Sequence, residues 1–480
     1  MDYQALRVVP EDRAAAKKEK RRIADGLLRL RAGLDAHFDA ASSIANVSPA
    51  TRGLRIATWN VRELATRNKY GRRLPDAYWY IAEIVSRFDV VALQEVRGDL
   101  DALRRVLAHL GDGWDFLATD VTEGAPGNGE RMVFLFDRRR VAFGGVAGEL
   151  TLKDGAELLD PDGLELSSAD PLTLRFGLPT AQRRDLRLPP GTATRERDGR
   201  LETAQAVYLE LPEGTQLELP PGSRLRVPVG TPLYRVGKSG LRLARTARYL
   251  APPGHRLQLP RPARADGVMQ FARTPYYVAF QVGWLKLILC TVHIYYGEES
   301  VRSAGMQRRI DEIHRLTELL RQRANDERDS DSASLFLVLG DFNIVGREHG
   351  TMTALQRRGF VIPDAIQQIP AGTNVERTKF YDQIAYYARP GDAKAIPRVQ
   401  PLRAGVFDFF EHVYRMGGDE KELTKEMRRE GGGGWEYATW RTYQMSDHLP
   451  MWVELESEFA EEVLAADRGN PPRMNAVSRG

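Results

Sequence analysis

The chain has 480 residues, 42% of them hydrophobic and 28% charged, the balance of a soluble globular protein and too long for one ordinary domain. Net charge is only +4, and the single cysteine, Cys290, excludes an intrachain disulfide and fits a reducing compartment. The opening stretch MDYQALRVVPEDRAAAKKEKRR lacks the apolar core of a secretory signal, and no run of about 18 apolar residues follows. A cytoplasmic protein without membrane association is therefore expected.

Residues 1–50 read as an N-terminal helical extension. Over residues 11–41, Ile23, Leu27, Leu28, Leu30, Leu34 and Phe38 recur at helical spacing and predict one packing face. The basic run KKEKRR on that helix reads as solvated.

From Leu54 strands and helices alternate. In residues 51–147, LRIATWNV is a predicted strand, 76–87 a helix, FDVVALQEV a second strand, and RMVFLFD a third after a helix beginning near Leu100. The pattern resumes over residues 268–456. YYVAFQV and WLKLILCTVHIYY read as strands and MQRRIDEIHRLTELLRQRA as a helix; SLFLVLGDFNI, YDQIAYYA and LPMWVELE supply later strands. Such a mixture is an α/β arrangement, sheets covered by helices. Residues 457–480 read as a tail.

Residues 148–267 differ. Pro-x-Gly turns at Pro189, Pro212, Pro220, Pro228 and Pro252 alternate with short apolar-polar stretches, which predicts an inserted small β subdomain. From Leu219 to Ala265 there is no acid, against ten lysines and arginines; without them the remainder stands at 4 − 10 = −6. A local basic stripe suits a polyanion, nucleic acid first, or is a solvated arginine-rich surface.

Polar residues end several of the predicted strands: Asn60 in ATWNVREL, Glu95 in ALQEVRGD, His293 in TVHIYYG, Asp341 and Asn343 in GDFNI, and Asp447 with His448 in MSDHLPMWVEL. Asp and Asn are poor strand formers, and residues two apart on a strand share a side, so Asp341 and Asn343 are expected to face the same way. Carboxylates and an amide suit a hard cation such as Mg²⁺, with Mn²⁺ or Ca²⁺ as alternatives. Imidazoles suit proton transfer near neutral pH. Metal and imidazole together are what phosphoester hydrolysis requires.

These motifs, in this order, resemble the endonuclease/exonuclease/phosphatase superfamily, most closely its deoxyribonuclease I members, over residues 54 to about 147 and 268–456. The resemblance implies a four-layer α/β sandwich of two packed sheets with the site at one end, and divalent-metal-dependent cleavage of phosphoesters. By motif, Glu95 is the principal metal ligand, with Asn60, which also faces substrate, and Asp447. Asp341 is a metal- or water-orienting carboxylate and Asn343 a phosphate-contacting amide. His293 and His448 are the catalytic histidines. ERMVFLF implies that Glu130 orients His293, and FYDQIAY that Asp382 supports His448; read alone, Glu130 is a charge before a strand and Asp382 a turn residue. ARTP implies a phosphate-contacting Arg273, which is otherwise a solvated arginine.

Two departures narrow the resemblance. TVHIYYG and YDQI differ from the motifs of abasic-site endonucleases, and the disulfides of secreted deoxyribonuclease I are missing. The basic insertion lies where that enzyme has a short loop near its substrate-binding face. A nuclease acting on DNA in preference to RNA is the implied function. The alternatives are a phosphatase or phospholipid phosphodiesterase of the inositol-phosphate phosphatase or sphingomyelinase type, and a catalytically dead binding module.

Overall fold

The computed structural model describes residues 1–44, 53–122, 129–150, 271–283, 285–297, 300, 303–330, 334–388 and 401–456, and the backbone of the strands between 157 and 251. The chain divides into two compact units. One comprises Met1–Leu150, Ala272–Arg309 and Thr317–Gly480; the other comprises Thr151–Phe271 with Ile310–Leu316.

The strands of the first unit are β1 (Leu54–Leu64), β2 (Val90–Arg97), β3 (Trp114–Ala118), β4 (Glu130–Asp137), β5 (Ala142–Glu149), β6 (Tyr276–Val282), β7 (Leu285–His293), β8 (Ser334–Asp341), β9 (Phe360–Val361), β10 (Asp382–Tyr387), β11 (Pro401–Val406) and β12 (Met451–Leu455). They form two six-stranded sheets, ordered β11-β12-β1-β2-β4-β3 and β9-β10-β8-β7-β6-β5. Each sheet has a parallel pair at its centre, β1 with β2 and β7 with β8, and its other pairings are antiparallel. A parallel pair needs a crossover, supplied here by α2 (Pro75–Val85) and, after α3 (Asp101–Leu110), by α4 (Ala304–Ser330). The carboxyl ends of each parallel pair then lie side by side, the usual place for a site in such sheets.

The central strands are apolar on both faces; every residue of β8 is buried, as expected of strands covered on both sides. The sheets face each other. Phe134 and Phe136 of β4 meet Phe280 of β6 at 5.7 and 5.3 Å between ring centroids, and Gln94 donates to Thr291 Oγ1 across the gap at 2.8 Å. Helices lie outside. Phe38 of α1 (Ala14–Ile44) packs on Trp452 of β12 at 4.8 Å, and Lys286 of β7 pairs with Glu327 of α4 at 2.7 Å. The result is a helix–sheet–sheet–helix sandwich.

Two sequence expectations for α1 change. Leu28 lies about 100° around the helix from Leu27 and stands 69% exposed, whereas Ile23, Leu27, Leu30, Leu34 and Phe38 are buried. The basic run is not merely solvated either. Arg22 sits at the edge of the buried stripe and binds Asp76 of α2 with two hydrogen bonds of 2.7 and 2.8 Å, in a fork geometry that only arginine offers. Gly26 permits the close crossing, since a Cβ there would lie 2.0 Å from Tyr80 Oη.

The main sheet runs further than the sequence pattern suggested before the insertion begins. β5 continues to Glu149 paired with Tyr276, and Leu150 donates to the carbonyl of Pro275. Beyond it, Thr194–Arg197 pairs with Arg200–Thr203. Val207–Leu211, Ala247–Ala251, Arg224–Leu225 and Leu166–Ser167 form one four-stranded sheet. Gln216–Leu217, Gly240–Leu243, Leu233–Val236 and Glu157–Leu159 form another. The side chains of the basic stripe, the five Pro-x-Gly turns and the C-terminal tail lie outside the described residues. Among the described residues no helix is long and apolar enough to cross a membrane.

Candidate active site

The carboxyl ends of the two parallel pairs meet. Asn60 ends the regular pairing of β1 with β2, and His293 stands beside Asp341 in the β7–β8 register. Asn60 Nδ2 donates to Glu95 Oε1 at 2.9 Å and, across the sheets, to Asp341 Oδ2 at 3.1 Å. Buried Asp341 Oδ2 is the focus of the arrangement: His293 Nε2 lies 3.5 Å from it and His448 Nε2 3.7 Å.

Each imidazole has a carboxylate behind it. His293 Nδ1 lies 3.2 Å from Glu130 Oε2, and His448 Nδ1 lies 2.8 Å from Asp382 Oδ2. Glu130 opens β4 and Asp382 opens β10; both are buried, which removes the readings of a loop charge and a turn residue. A donor at Nδ1 leaves each Nε2 facing the shared centre. Backbone bonds hold His448 in place, its N–H to Ser446 Oγ at 2.9 Å and its carbonyl from Trp59 Nε1 at 2.8 Å.

Electrostatics follow from this packing. Burial alone would lower His293, but the charge and hydrogen bond of Glu130, with Asp341 beyond, raise it. Burial opposes His448 likewise, yet Asp382 and Asp341 lift it well above the ordinary histidine value. Burial, with Asp341 nearby, pushes Asp382 up against the charge and hydrogen bond of His448. For Glu130, burial is outweighed by His293 and Arg273, which hold it at about 2. Asp341 also falls, against burial, because both imidazoles face it.

Glu95 is the more open carboxylate and sits in strained backbone. Its φ is +60°, at a break in the β2–β4 register between Leu93 and Val96, a left-handed conformation rare for this residue type. The bulge turns its carboxylate toward Asn60, while Oε2 accepts the N–H of Glu63 at 3.0 Å. Ligand atoms of Glu95, Glu130 and His293 lie within 4.8 Å of one another, as do those of Asp341, Asp382 and His448. Among the described residues, buried Asp382 Oδ1 has no hydrogen-bond partner. An oxygen-rich set with an orphaned acceptor suits a hard divalent cation, with Glu95 as the accessible ligand.

Four expected residues have contacts other than those anticipated. β8 ends at Asp341, so Asn343 is not on the strand. Its φ is +53°, its N–H goes to Asp341 Oδ1 at 2.9 Å, and its Nδ2 donates to the carbonyl of Ile294 at 2.8 Å. A carboxylate at a strand end captures the N–H two residues on, and this turn overrides the strand alternation. Arg273 gives Nε to Glu130 Oε1, because a buried carboxylate with two oxygens needs a second donor besides His293. Asp447, 39% exposed, pairs with Arg62 at 3.1 Å and is not in either cluster of candidate ligands. Asn60 turns its nitrogen to the two carboxylates, and its Oδ1 accepts from the N–H of Arg62 at 3.0 Å. To ligate a cation through that oxygen it would have to turn over.

Sequence reasoning passed over several supports. Gly340 has φ +147°, and a Cβ there would meet the backbone oxygen of Val292 at 2.2 Å, so only glycine lets β7 and β8 close beneath His293 and Asp341. Gln94, beside Glu95, ties Thr58 to Thr291 under the site. Buried Arg309 of α4 donates to the carbonyl of Asn343 at 2.9 Å. The signal for Gly340 and Gln94 was their position inside the quoted motifs, a glycine and an amide within apolar strands.

No curated protein matches the chain in sequence. Among solved structures it is similar to a mannosyl-6-phosphatase of Bacteroides thetaiotaomicron (14% identity, 84% of this chain and 99% of that one, TM-score 0.39). It is also similar to D. rerio TDP2 complexed with a single-strand DNA product (12%, 84% and 98%, TM-score 0.38) and to the human Nocturnin catalytic domain (11%, 85% and 95%, TM-score 0.35). At those identities and scores the likenesses say nothing of substrate. A family model, Endonuclease/Exonuclease/phosphatase family, matches residues 57–444, stopping just short of Asp447 and His448, which the fold brings back beside Asn60. With the two-sheet sandwich and its paired histidines and carboxylates, that match places the chain in the Endonuclease/Exonuclease/phosphatase family, whose members are phosphoester hydrolases.

Proposed function

We propose that the protein is a divalent-metal-dependent phosphodiesterase that cleaves nucleic acid, DNA in preference to RNA, by attack of water on phosphorus. The observation that carries this reading is the pair of carboxylate-backed imidazoles whose Nε2 atoms converge on Asp341 Oδ2, at 3.5 and 3.7 Å. A bond forms between the water oxygen and phosphorus as the bond to the 3′ oxygen breaks. One proton must leave the water and one must reach the departing oxygen, and two imidazoles serve these two transfers. Glu130 and Asp382 fix the ring orientations and stabilise the imidazolium forms. A cation held by Glu95, with Asp341 alongside, would neutralise charge on the phosphoryl oxygens. Asn60 orients both carboxylates.

The nuclease reading is further supported by the Glu130–His293 and Asp382–His448 pairings that the deoxyribonuclease I resemblance implied, and by the acid-free stretch from Leu219 to Ala265. We take that stretch to contact phosphates through arginine, which positions a strand without reading its sequence. Replacing several of those arginines should weaken binding and flatten its salt dependence. The single cysteine favours a cytoplasmic setting.

Supercoiled plasmid incubated with the protein and Mg²⁺, with chelator, and with the His448→Ala variant tests the whole reading. It predicts nicking that requires Mg²⁺ and is lost in the variant. Absence of nicking by the intact protein, alongside hydrolysis of a phosphate monoester, would move the assignment to the phosphatase branch.

A further inference from the structure

Beside the site, but outside its catalytic groups, four side chains form one contiguous row. The Arg62 guanidinium lies 3.8 Å from the ring centre of Tyr443. Tyr443 stacks on Tyr70 at 3.6 Å with 23° between planes, and Tyr70 meets Trp435 at 4.2 Å with the planes tilted by 51°. The inner end is anchored to the site, because Arg62 pairs with Asp447 and its N–H binds Asn60. The outer end is open: Tyr70 and Tyr443 are buried, whereas Trp435 is 42% exposed.

The surrounding backbone holds this platform firmly. Tyr70 sits at the tip of a hairpin in which Arg67–Asn68 pairs with Gly71–Arg72. Buried Arg73 ties the base of the hairpin to the carbonyls of Gln444, Arg62 and Glu63. The N–H of Arg72 binds the carbonyl of Glu430, at the start of the glycine run 431–434 that presents Trp435. The hairpin also carries three exposed cations, Arg67, Lys69 and Arg72. Of the acids nearby, Glu63 and Glu430 are paired with Arg97 and Arg429, and Glu436, next to Trp435, is exposed.

A partly exposed tryptophan flanked by exposed cations is the pairing that single-stranded nucleic acid recognises. Each base has a π-face to stack and each linkage a phosphate to neutralise, whereas bases in a duplex already have both faces covered. We infer that the Arg62–Tyr443–Tyr70–Trp435 row is a substrate subsite, on which an unpaired base lies against Trp435 while its strand leads past Arg62 to the paired histidines. The inference rests on the nucleic-acid reading above and names the substrate form more narrowly, as a single strand or a locally unpaired segment.

The test compares kcat/KM for a single-stranded oligonucleotide, the same oligonucleotide carrying abasic spacers, and p-nitrophenyl methyl phosphate, which is too small to span two tyrosine rings. Trp435 is exposed, so Trp435→Ala should fold. It should lower kcat/KM on the oligonucleotide roughly tenfold, mainly through KM, and Trp435→Phe should restore most of it. The abasic spacers should cost the unmodified protein a similar factor and the alanine variant nothing further. Hydrolysis of the small diester should not change. If the alanine variant cleaves the base-bearing oligonucleotide as well as the unmodified protein does, the subsite is overturned and the nuclease reading stands. If the unmodified protein cleaves the small diester but no oligonucleotide, the nuclease reading fails and takes the subsite with it.

Discussion

Replacing Gly340 with alanine should separate His293 from Asp341 without touching either. The new Cβ would lie 2.2 Å from Val292 O and 2.8 Å from Val292 N. Both obstacles are backbone, so no rotamer change relieves them. Restoring an ordinary contact requires β7 and β8 to part by about 1 Å. The φ of +147° adds strain of its own for any residue with a side chain. The two effects together should cost about 2–5 kcal/mol of stability. His293 and Asp341 end those two strands in register, so the same displacement falls on the 3.5 Å approach of His293 Nε2 to Asp341 Oδ2. A misplacement of that size costs on the order of 100-fold in rate. Thermal unfolding and hydrolysis of a small phosphodiester read the two consequences separately. Gly346, where an added Cβ would meet nothing within 4 Å, supplies the control; Gly346→Ala should stay within about 1 kcal/mol of the parent protein. A Gly340→Ala protein that melts and turns over like the parent would refute the close-packing argument.

Three further outcomes are expected. His37 accepts a hydrogen bond from Trp452 Nε1 at 2.9 Å, and burial, with Arg377, His412 and Arg55 nearby, lowers it to about 4. Its folded value lies below the ordinary 6.5, so its contribution is complete above pH 6.5 and lost as pH falls toward 4; the difference is at most about 3 kcal/mol. His37→Gln keeps an acceptor but cannot titrate, so equilibrium unfolding of the variant should lack this part of the slope; identical slopes would contradict it. Asp382→Asn leaves His448 without its carboxylate and should lower kcat by about 10²–10⁴ with little change in KM; a near-normal kcat would remove Asp382 from the machinery. Glu95→Gln should raise the Mg²⁺ concentration for half-maximal activity roughly tenfold or more, and an unchanged metal titration would show that Glu95 is not the principal ligand.

The sequence by itself determined the architecture and the chemical inventory. Apolar runs such as SLFLVLG, bounded by turn signals, fit strands covered on both faces, and their alternation with helical stretches points to an α/β arrangement; which pairs are parallel was decided by the fold. A polar residue at the end of such a run is conspicuous because burying it uncompensated is costly. For that reason Asn60, Glu95, His293, Asp341 and His448 were all legible. What the sequence could not show is which groups share a partner. Glu130 and Arg273 are 143 positions apart and meet because one buried carboxylate has two oxygens to satisfy. Asp447 is expected at a metal by motif, and its pairing with Arg62 is a contact no local pattern foretells. The alternation rule predicted where Asn343 would point until the turn made by Asp341 replaced the strand. The aromatic row is drawn from three separate stretches, around residues 62–70, 435 and 443, none of which signals the others. Local pattern reports burial and periodicity, which are properties of a segment. Hydrogen-bond partnership and ring stacking are properties of a place, and only the tertiary structure decides which residues occupy it.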